Sequence, residues 1–299
     1  PRSSSAASDV YKRQLQDHGD WPSGVIVDLW GSATMRTAGE EFAMALHLLG
    51  VRPVWTEGTE RVSGFEILPL PLLDRPRIDV TLRVSGLFRD VFPSLSGLYQ
   101  QAVEALAERP ETPDWNPYMA SSETARIYGP APGSYGLGMG AAAEQFSDAG
   151  RQAAADAWLE ASSYALNAEG SFQDKQGIQN RVAQADSFIH LQDLPETDLL
   201  LSADYAAHEA GFAAAKAAVG GQAALYHIDN TNPDTPAARS LSEEIARVVY
   251  ARASNSGWLA GMQRHGFRGA AEIAATLMHM AAFANLAGVV GPQLLSLIH

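Results

Sequence analysis

The 299-residue chain is 46% hydrophobic and 18% charged, with a formal net charge of −13. That balance suits a core-forming globular protein and argues against non-specific attachment to nucleic acid or to an anionic membrane surface. The chain has no cysteine, which excludes disulfides, thiolate metal ligands and thiol nucleophiles and is compatible with a cytoplasmic protein.

Residues 1–14, PRSSSAASDVYKRQ, lack the apolar run of a signal peptide. With residues 295–299 they read as non-native, adapter-like sequence, so both ends are set outside the fold and the native chain is expected to be longer. GVIVDLWG (24–31) reads as a buried strand ending at a glycine. RTAGEEFAMALHLLGV (36–51) reads as a helix with Gly50 as its stop. Short strands follow at 53–55 and 64–70. In RPRIDVTLRVSGLFRD (75–90), Ile78, Val80, Leu82 and Val84 alternate with Asp79, Thr81, Arg83 and Ser85. That is the period of a half-buried strand whose second face is polar. Residues 87–108 read as a helix, with Pro93 setting its first turn apart.

Residues 111–140 read as a long loop, functional rather than disordered because it carries Trp115, Tyr118, Tyr128 and Tyr135. The second half is helix-rich, with helices expected at 148–166, 203–219 and 240–252 and another beginning near Gly269. SFIHLQD (187–193) and AALYHID (223–229) read as strands ending in acids. No charge appears after Glu272, a length that raises a membrane span. His279, Asn285, Pro292 and Gln293 interrupt it, and a buried helix is the reading. The alternation predicts an α/β fold: a mixed, largely parallel sheet with flanking helices. It divides into an α/β region at 15–140 and a helix-rich α/β region at 141–294.

GPAPGSYGLGMG lacks both the Gly-Lys-Ser/Thr ending of a P-loop and the spacing of a dinucleotide fingerprint. Its glycines let backbone approach a flat ligand or simply make turns. No Gly-x-Ser-x-Gly elbow is present. HEAGF (208–212) fails the His-Glu-x-x-His zinc pattern. His190 with Asp193, and His227 with Asp229, bracket two strand ends, where α/β sheets place ligands. Imidazole with carboxylate suits a borderline ion such as cobalt or nickel. Glu40 and Glu41 open a helix, where acids complement its dipole; Glu40 is also well placed for a general base.

Several stretches together carry a resemblance: DLWGSATMRTAGEEFAMALHLLGV, RPRIDVTLRVSGLFRDVFP, RIYGPAPGSYGLG, HLQDLPETDLLLSADYAAHEAGFAAA and SEEIARVVYARASNSGWLAGMQRHGFRGAAEIAAT. In this order they resemble the CobN-type large subunits of aerobic cobaltochelatase, within the CobN and magnesium chelatase H-subunit family. The resemblance implies a fragment of a larger multidomain subunit. It implies ATP-dependent insertion of Co²⁺, as substrate ion, into hydrogenobyrinic acid a,c-diamide on the route to cobalamin. ATP and Mg²⁺ would be used by AAA+ and integrin-like partner subunits of the CobS and CobT type, not bound here. Neither nucleic acid nor membrane is an expected partner.

Carried over by motif, the resemblance implies catalytic roles for Glu40, His208 and Glu209. Substrate contacts fall to Arg77, Asp79, Arg83, Arg89, Tyr135 and Gly136 by motif, with Arg36 from the helix start beside them, and metal contacts to His208 and His265 by motif, with His190 and Asp193 from the strand end. Phe267, Tyr250, Ser256 and Ile228 depart from the family pattern. The isolated fragment is expected to be inactive. A magnesium-chelatase-type subunit, a nickel-inserting relative and a non-catalytic tetrapyrrole-binding protein remain the alternatives.

Overall fold

The computed structural model describes residues 2–56, 58, 62–119, 125–167 and 169–297. Residues 120–124 of the expected loop, and 298–299 of the expected tail, lie outside the described residues.

Among the described residues ten strands form: β1 (Gly24–Leu29), β2 (Val51–Trp55), β3 (Val62–Ile67), β4 (Asp79–Val84), β5 (Ile127–Gly129), β6 (Tyr164–Asn167), β7 (Gly170–Gln173), β8 (Ser187–Gln192), β9 (Ala224–Asp229) and β10 (Ala237–Ser240). Eight of them make one sheet in the order β10-β9-β8-β1-β4-β5-β6-β7, and β2 and β3 form a separate hairpin. β1, β4, β5, β8 and β9 run parallel, while β6, β7 and β10 are antiparallel additions at the edges. The expected mixed, largely parallel sheet is what forms, and it is continuous across residue 140.

The helices are α1 (Arg2–His18), α2 (Gly31–Thr37), α3 (Glu40–Leu49), α4 (Gly86–Val91), α5 (Pro93–Ala107), α6 (Asp148–Glu160), α7 (Lys175–Gln184), α8 (Ala203–Tyr205), α9 (Gly211–Val219), α10 (Leu241–Val248), α11 (Ser256–Arg264), α12 (Gly266–Ala287) and α13 (Pro292–Ser296). α1, α3 and α5 pack with Val25, Val27, Val80, Leu82, Ile189 and Ile228 on one face of the sheet. α6, α9 and α12 pack with Ile26, Phe188 and Leu225 on the other. Both faces of the central strands are therefore covered, as parallel sheets require.

Some boundaries differ from expectation for local reasons. The helix expected from residue 36 is two helices, because Ala38 and Gly39 take φ of 55° and 84° between them. The Thr37 hydroxyl accepts from the Gly39 and Glu40 amides at 3.2 Å and so starts α3 afresh. α2 begins early, at Gly31, where a Cβ would lie 2.5 Å from the Phe88 nitrogen; only glycine lets α2 and α4 meet. Pro93 does separate α4 from α5. α6 stops at Glu160, and the chain turns at buried Ser162 and Ser163 into β6.

The segment set outside the fold forms α1, with Ala6, Ala7 and Val10 buried against the sheet's helical layer. α12 is long and apolar enough to cross a membrane by length and composition, with 28% of its apolar window buried. Its Met280, Ala282, Phe283 and Leu286 pack into the core.

Candidate functional site

The strand order reverses between β1 and β8, so the crevice beyond their carboxyl ends is the sheet's topological switch point. Register places a line of polar residues across that end of the sheet. Arg83 on β4 is paired with Asp28 on β1, Asp28 with His190 on β8, and His190 with His227 on β9. In-register neighbours point to one face. All four side chains are buried, on the face covered by α6, α9 and the helical turn 206–210.

Asp28 is the hub. Its Oδ2 accepts from Trp30 Nε1 at 2.7 Å, His208 Nδ1 at 2.7 Å and His190 Nδ1 at 3.2 Å. Its Oδ1 faces Arg83 Nη1 at 3.3 Å. An ionised carboxylate only accepts, so both imidazoles carry their proton on Nδ1 here. Two further donors, Trp30 Nε1 and Arg83 Nη1, lie 3.1 Å from His208 Nδ1 as well; Trp30 shares the Asp28 Oδ2 with the imidazole, whereas Arg83 faces Oδ1. Burial by itself raises the Asp28 carboxyl, but His208, His190 and Arg83 outweigh it and hold the group well below its ordinary range. Burial lowers the His208 imidazole and Arg83 lowers it further, against the pull of Asp28. Arg83 also faces the carboxyl end of α6 through Ser162 Oγ at 3.3 Å and the Ala161 carbonyl at 3.5 Å.

His208 and Glu209 lie on a π-turn, Ala206–Ala210, set between α8 and α9. On an α-helix, adjacent side chains diverge by about 100°. The wider turn narrows that divergence, and the two residues reach the same face of the sheet. Gly211 follows because a Cβ there would lie 2.4 Å from the Met139 methyl and 3.0 Å from the Trp158 ring. Trp158 in turn donates its indole N–H to the His208 carbonyl at 3.2 Å. π-turns of this kind gather at functional sites.

Glu209 Oε1 accepts from His227 Nδ1 at 2.8 Å, and Gln192 Oε1 accepts from His227 Nε2 at 2.9 Å. The Gln192 amide nitrogen donates to the Leu194 and Thr197 carbonyls, which fixes the oxygen toward His227. Both His227 nitrogens thus face acceptors, and the ring is an imidazolium. Burial lowers His227, yet Glu209, Glu244 and Asp229 outweigh it and raise the group above its ordinary value. Tyr205 stacks on Trp30 with ring centroids 5.3 Å apart and sets its edge against His190 and His227.

The structure brings His190, His208 and Glu209 together and leaves Arg36, Glu40, Asp193, Arg89, Tyr135 and Gly136 on the rim. Arg36 grips Asp193 with both nitrogens, at 2.6 and 2.9 Å. Glu40 accepts from Asn230 at 2.6 Å, just beyond β9. Arg89 holds the Pro130 and Ala131 carbonyls, and Tyr135 donates to Asp90, which pins the glycine loop to α4. Gly136 has φ of 75° within that loop.

Three expectations are corrected. Arg83 is not an open substrate contact, because helices cover the polar face of β4: Thr81 is 3% and Arg83 1% exposed. Arg77 and Asp79 lie at the opposite, amino end of β4. Arg77 caps α3 through the Leu49 and Gly50 carbonyls and pairs with Glu111. Asp79 pairs with Arg126 and Arg181. The four expected metal contacts do not converge. His265 is exposed where α11 meets α12, Asp193 is paired with Arg36, and His190 and His208 both turn Nδ1 to Asp28. Among the described residues no three His, Cys, Asp or Glu groups are disposed to hold a metal ion.

Sequence reasoning passed over Asp28, Trp30, Gln192 and Tyr205. The available signal was Asp28 itself, one acid inside the apolar run VIVDLW.

The family model described as CobN/Magnesium Chelatase matches residues 2–296. Aerobic cobaltochelatase subunit CobN of Pseudomonas aeruginosa is 43% identical over 93% of this chain and 24% of its own length. The CobN subunit of Sinorhizobium sp is 40% identical over 95% of this chain and 24% of its own. Magnesium-chelatase subunit ChlH of Oryza sativa subsp. japonica is 26% identical over 93% of this chain and 21% of its own. The solved catalytic subunit of cobaltochelatase from Mycobacterium tuberculosis superposes with a TM-score of 0.94 at 32% identity, covering 99% of this chain and 26% of that one. The chain spans about a quarter of the length of the cobaltochelatase relatives it matches.

Proposed function

The chain belongs to the CobN/magnesium chelatase family, and on that premise we propose that it carries part of the tetrapyrrole-binding, metal-inserting region of a cobaltochelatase large subunit. The substrate ion is Co²⁺ and the ring is hydrogenobyrinic acid a,c-diamide. ATP is hydrolysed by an AAA+ partner subunit that works with an integrin-like one, of the CobS and CobT type, and the complex works in the cytoplasm. The observation that carries this reading is the Asp28 cluster at the switch point, with His190, His208 and the neighbouring Glu209–His227 pair. Metal insertion requires a group that takes a proton from the ring's inner N–H as the ion enters, and a positioned imidazole does that near neutral pH.

Cobalt is favoured over magnesium because the CobN relatives are 40–43% identical and the rice magnesium-chelatase subunit 26%. The test uses the full-length subunit with its ATPase partners, ATP and either Co²⁺ with hydrogenobyrinic acid a,c-diamide or Mg²⁺ with protoporphyrin. ATP-dependent absorbance change is expected with the cobalt pair, and background for the 299-residue chain alone. Insertion of magnesium instead, or turnover by the chain alone, overturns the reading.

A further inference from the structure

One carboxylate holds two imidazoles in the same way. Oδ2 of Asp28 faces Nδ1 of His208 at 2.7 Å and Nδ1 of His190 at 3.2 Å, and the Trp30 indole N–H locks the same oxygen at 2.7 Å. Among the described residues no other acceptor faces either Nδ1; the other groups at His208 Nδ1, Trp30 Nε1 and Arg83 Nη1 at 3.1 Å, are donors. The Nε2 of each ring is left without a hydrogen bond among the described residues. Elsewhere on the same face the third imidazole, His227, has both nitrogens engaged. His208 keeps 9% of its side chain exposed, His190 2%. His208 is thus the less enclosed of the two rings.

We propose that Asp28 is the positioning residue of this site: by accepting Nδ1–H from His208 and His190 it fixes both rings in one tautomer and leaves His208 Nε2 as the lone pair that takes the inner N–H proton of the tetrapyrrole. This rests on the chelatase reading above. In the step, the ring N–H bond breaks heterolytically. Its electron pair stays on the ring nitrogen and binds the entering ion, and the proton forms a new bond to His208 Nε2. The imidazolium so formed keeps donating Nδ1–H to Asp28, whose negative charge it now partly balances together with Arg83. No electron is transferred.

The groups facing His208 are Asp28 from β1, Arg83 from β4, His190 from β8 and Glu209 on its own turn, with His227 and Tyr205 beyond them. The test is Asp28→Asn in the full-length subunit assembled with its partners. An amide can present N–H to Nδ1, which moves the ring proton onto Nε2. Because the single change leaves Arg83 buried without its anion, the double variant Asp28→Asn/Arg83→Met is made beside it. Insertion at saturating ring should slow by about 10²–10⁴-fold in both. Ring affinity should stay within a few-fold of wild type, and the double variant should recover the melting temperature. The limb of the pH–rate profile that belongs to His208 should disappear.

A double variant that inserts the ion at the wild-type rate overturns the proposal, as does an affinity that falls in step with rate. If the wild-type complex prefers magnesium, the cobalt reading fails and the same ratios are read on magnesium. If it inserts no ion, the functional reading fails alone. Histidine C2–H exchange, followed by mass spectrometry, then decides the positioning: a rate at His208 unchanged by Asp28→Asn overturns it.

Discussion

Strand β4 begins on Asp79 and ends near Arg83, and each residue sits in a buried charge cluster on the same face of the sheet. At the amino end, Asp79 accepts from Arg126 at 2.6 and 3.2 Å and from Arg181 at 2.8 Å. Tyr118 and Tyr99 beside it give their hydroxyls to the Ile78 and Val80 carbonyls, both at 2.8 Å. Burial pushes both phenols up, so they stay neutral donors. The partners described there are arginines, a carboxylate, phenols and backbone, and no imidazole is among them. At the carboxyl end, one arginine and two imidazoles share Asp28. Both ends bury charge, but only the second carries groups that can take and return a proton. Burial of charge alone therefore does not mark a site.

The largest expected effect attacks the first half of this comparison. Asp79→Asn leaves two guanidiniums without their shared anion. Breaking a buried pair in that way costs about 3–5 kcal/mol. Urea unfolding should report that loss in full, and a cost below about 1 kcal/mol would show that the amino-end cluster is not the structural one.

A smaller, pH-dependent effect sharpens the second half. His227 is raised above its ordinary value by Glu209, Glu244 and Asp229 against burial, and Gln192 faces its other nitrogen. A raised imidazole contributes stability that is fully present below the unfolded value, about 6.5. That contribution is lost as pH rises through the folded value. Wild type and His227→Gln should differ most in urea midpoint on the acid side. The gap should close as the solution becomes alkaline. A gap of constant size would mean that His227 is neutral in the fold, and that the Glu209 pair is an ordinary hydrogen bond.

Much of this architecture was legible. β1 announces itself through its VIV run, β4 through its alternation, and β8 and β9 through short apolar stretches that end in acids, while the proline at 93 separates α4 from α5 as its missing N–H demands. The alternation in β4 located the apolar side correctly. It could not say what covers the polar side, because periodicity reports direction and not depth. β5 has only three residues, and YALN–GSFQ in β6 and β7 shows no alternation, so neither gave a signal. Of the candidate cluster, His190, His208 and Glu209 are singled out in the sequence by strand-end position and motif, the two histidines as metal contacts, a role their shared turn to Asp28 does not fit. Asp28 needed register: only the pairing of β1 with β4 and β8 sets it between Arg83 and His190. The π-turn has no sequence signature at all, yet it is what turns His208 and Glu209 onto one face.

The smallest expected change in stability tests the rim. Arg36 is 39% exposed on its side chain and pairs with Asp193, itself 10% exposed. An exposed pair of this kind contributes about 0–1 kcal/mol, since solvent screens it and two side chains are ordered to make it. Arg36→Ala should therefore hardly move the melting temperature. Its position predicts something larger in binding. Arg36 and Asp193 lie at the carboxyl ends of β1 and β8, over the cluster, and a substrate carboxylate could take the place of Asp193 on the guanidinium fork. Charge-assisted bonds of that sort are worth about 1.5–3 kcal/mol, a ten- to hundredfold loss of ring affinity in an absorbance titration of the full-length subunit. Arg36→Lys should recover little of it, because an ammonium keeps the charge and lacks the fork. Full recovery by lysine would mean that only charge matters at the rim; unchanged affinity in the alanine variant would reduce Arg36 to a surface pair and confine recognition to the buried cluster and the Tyr135 loop.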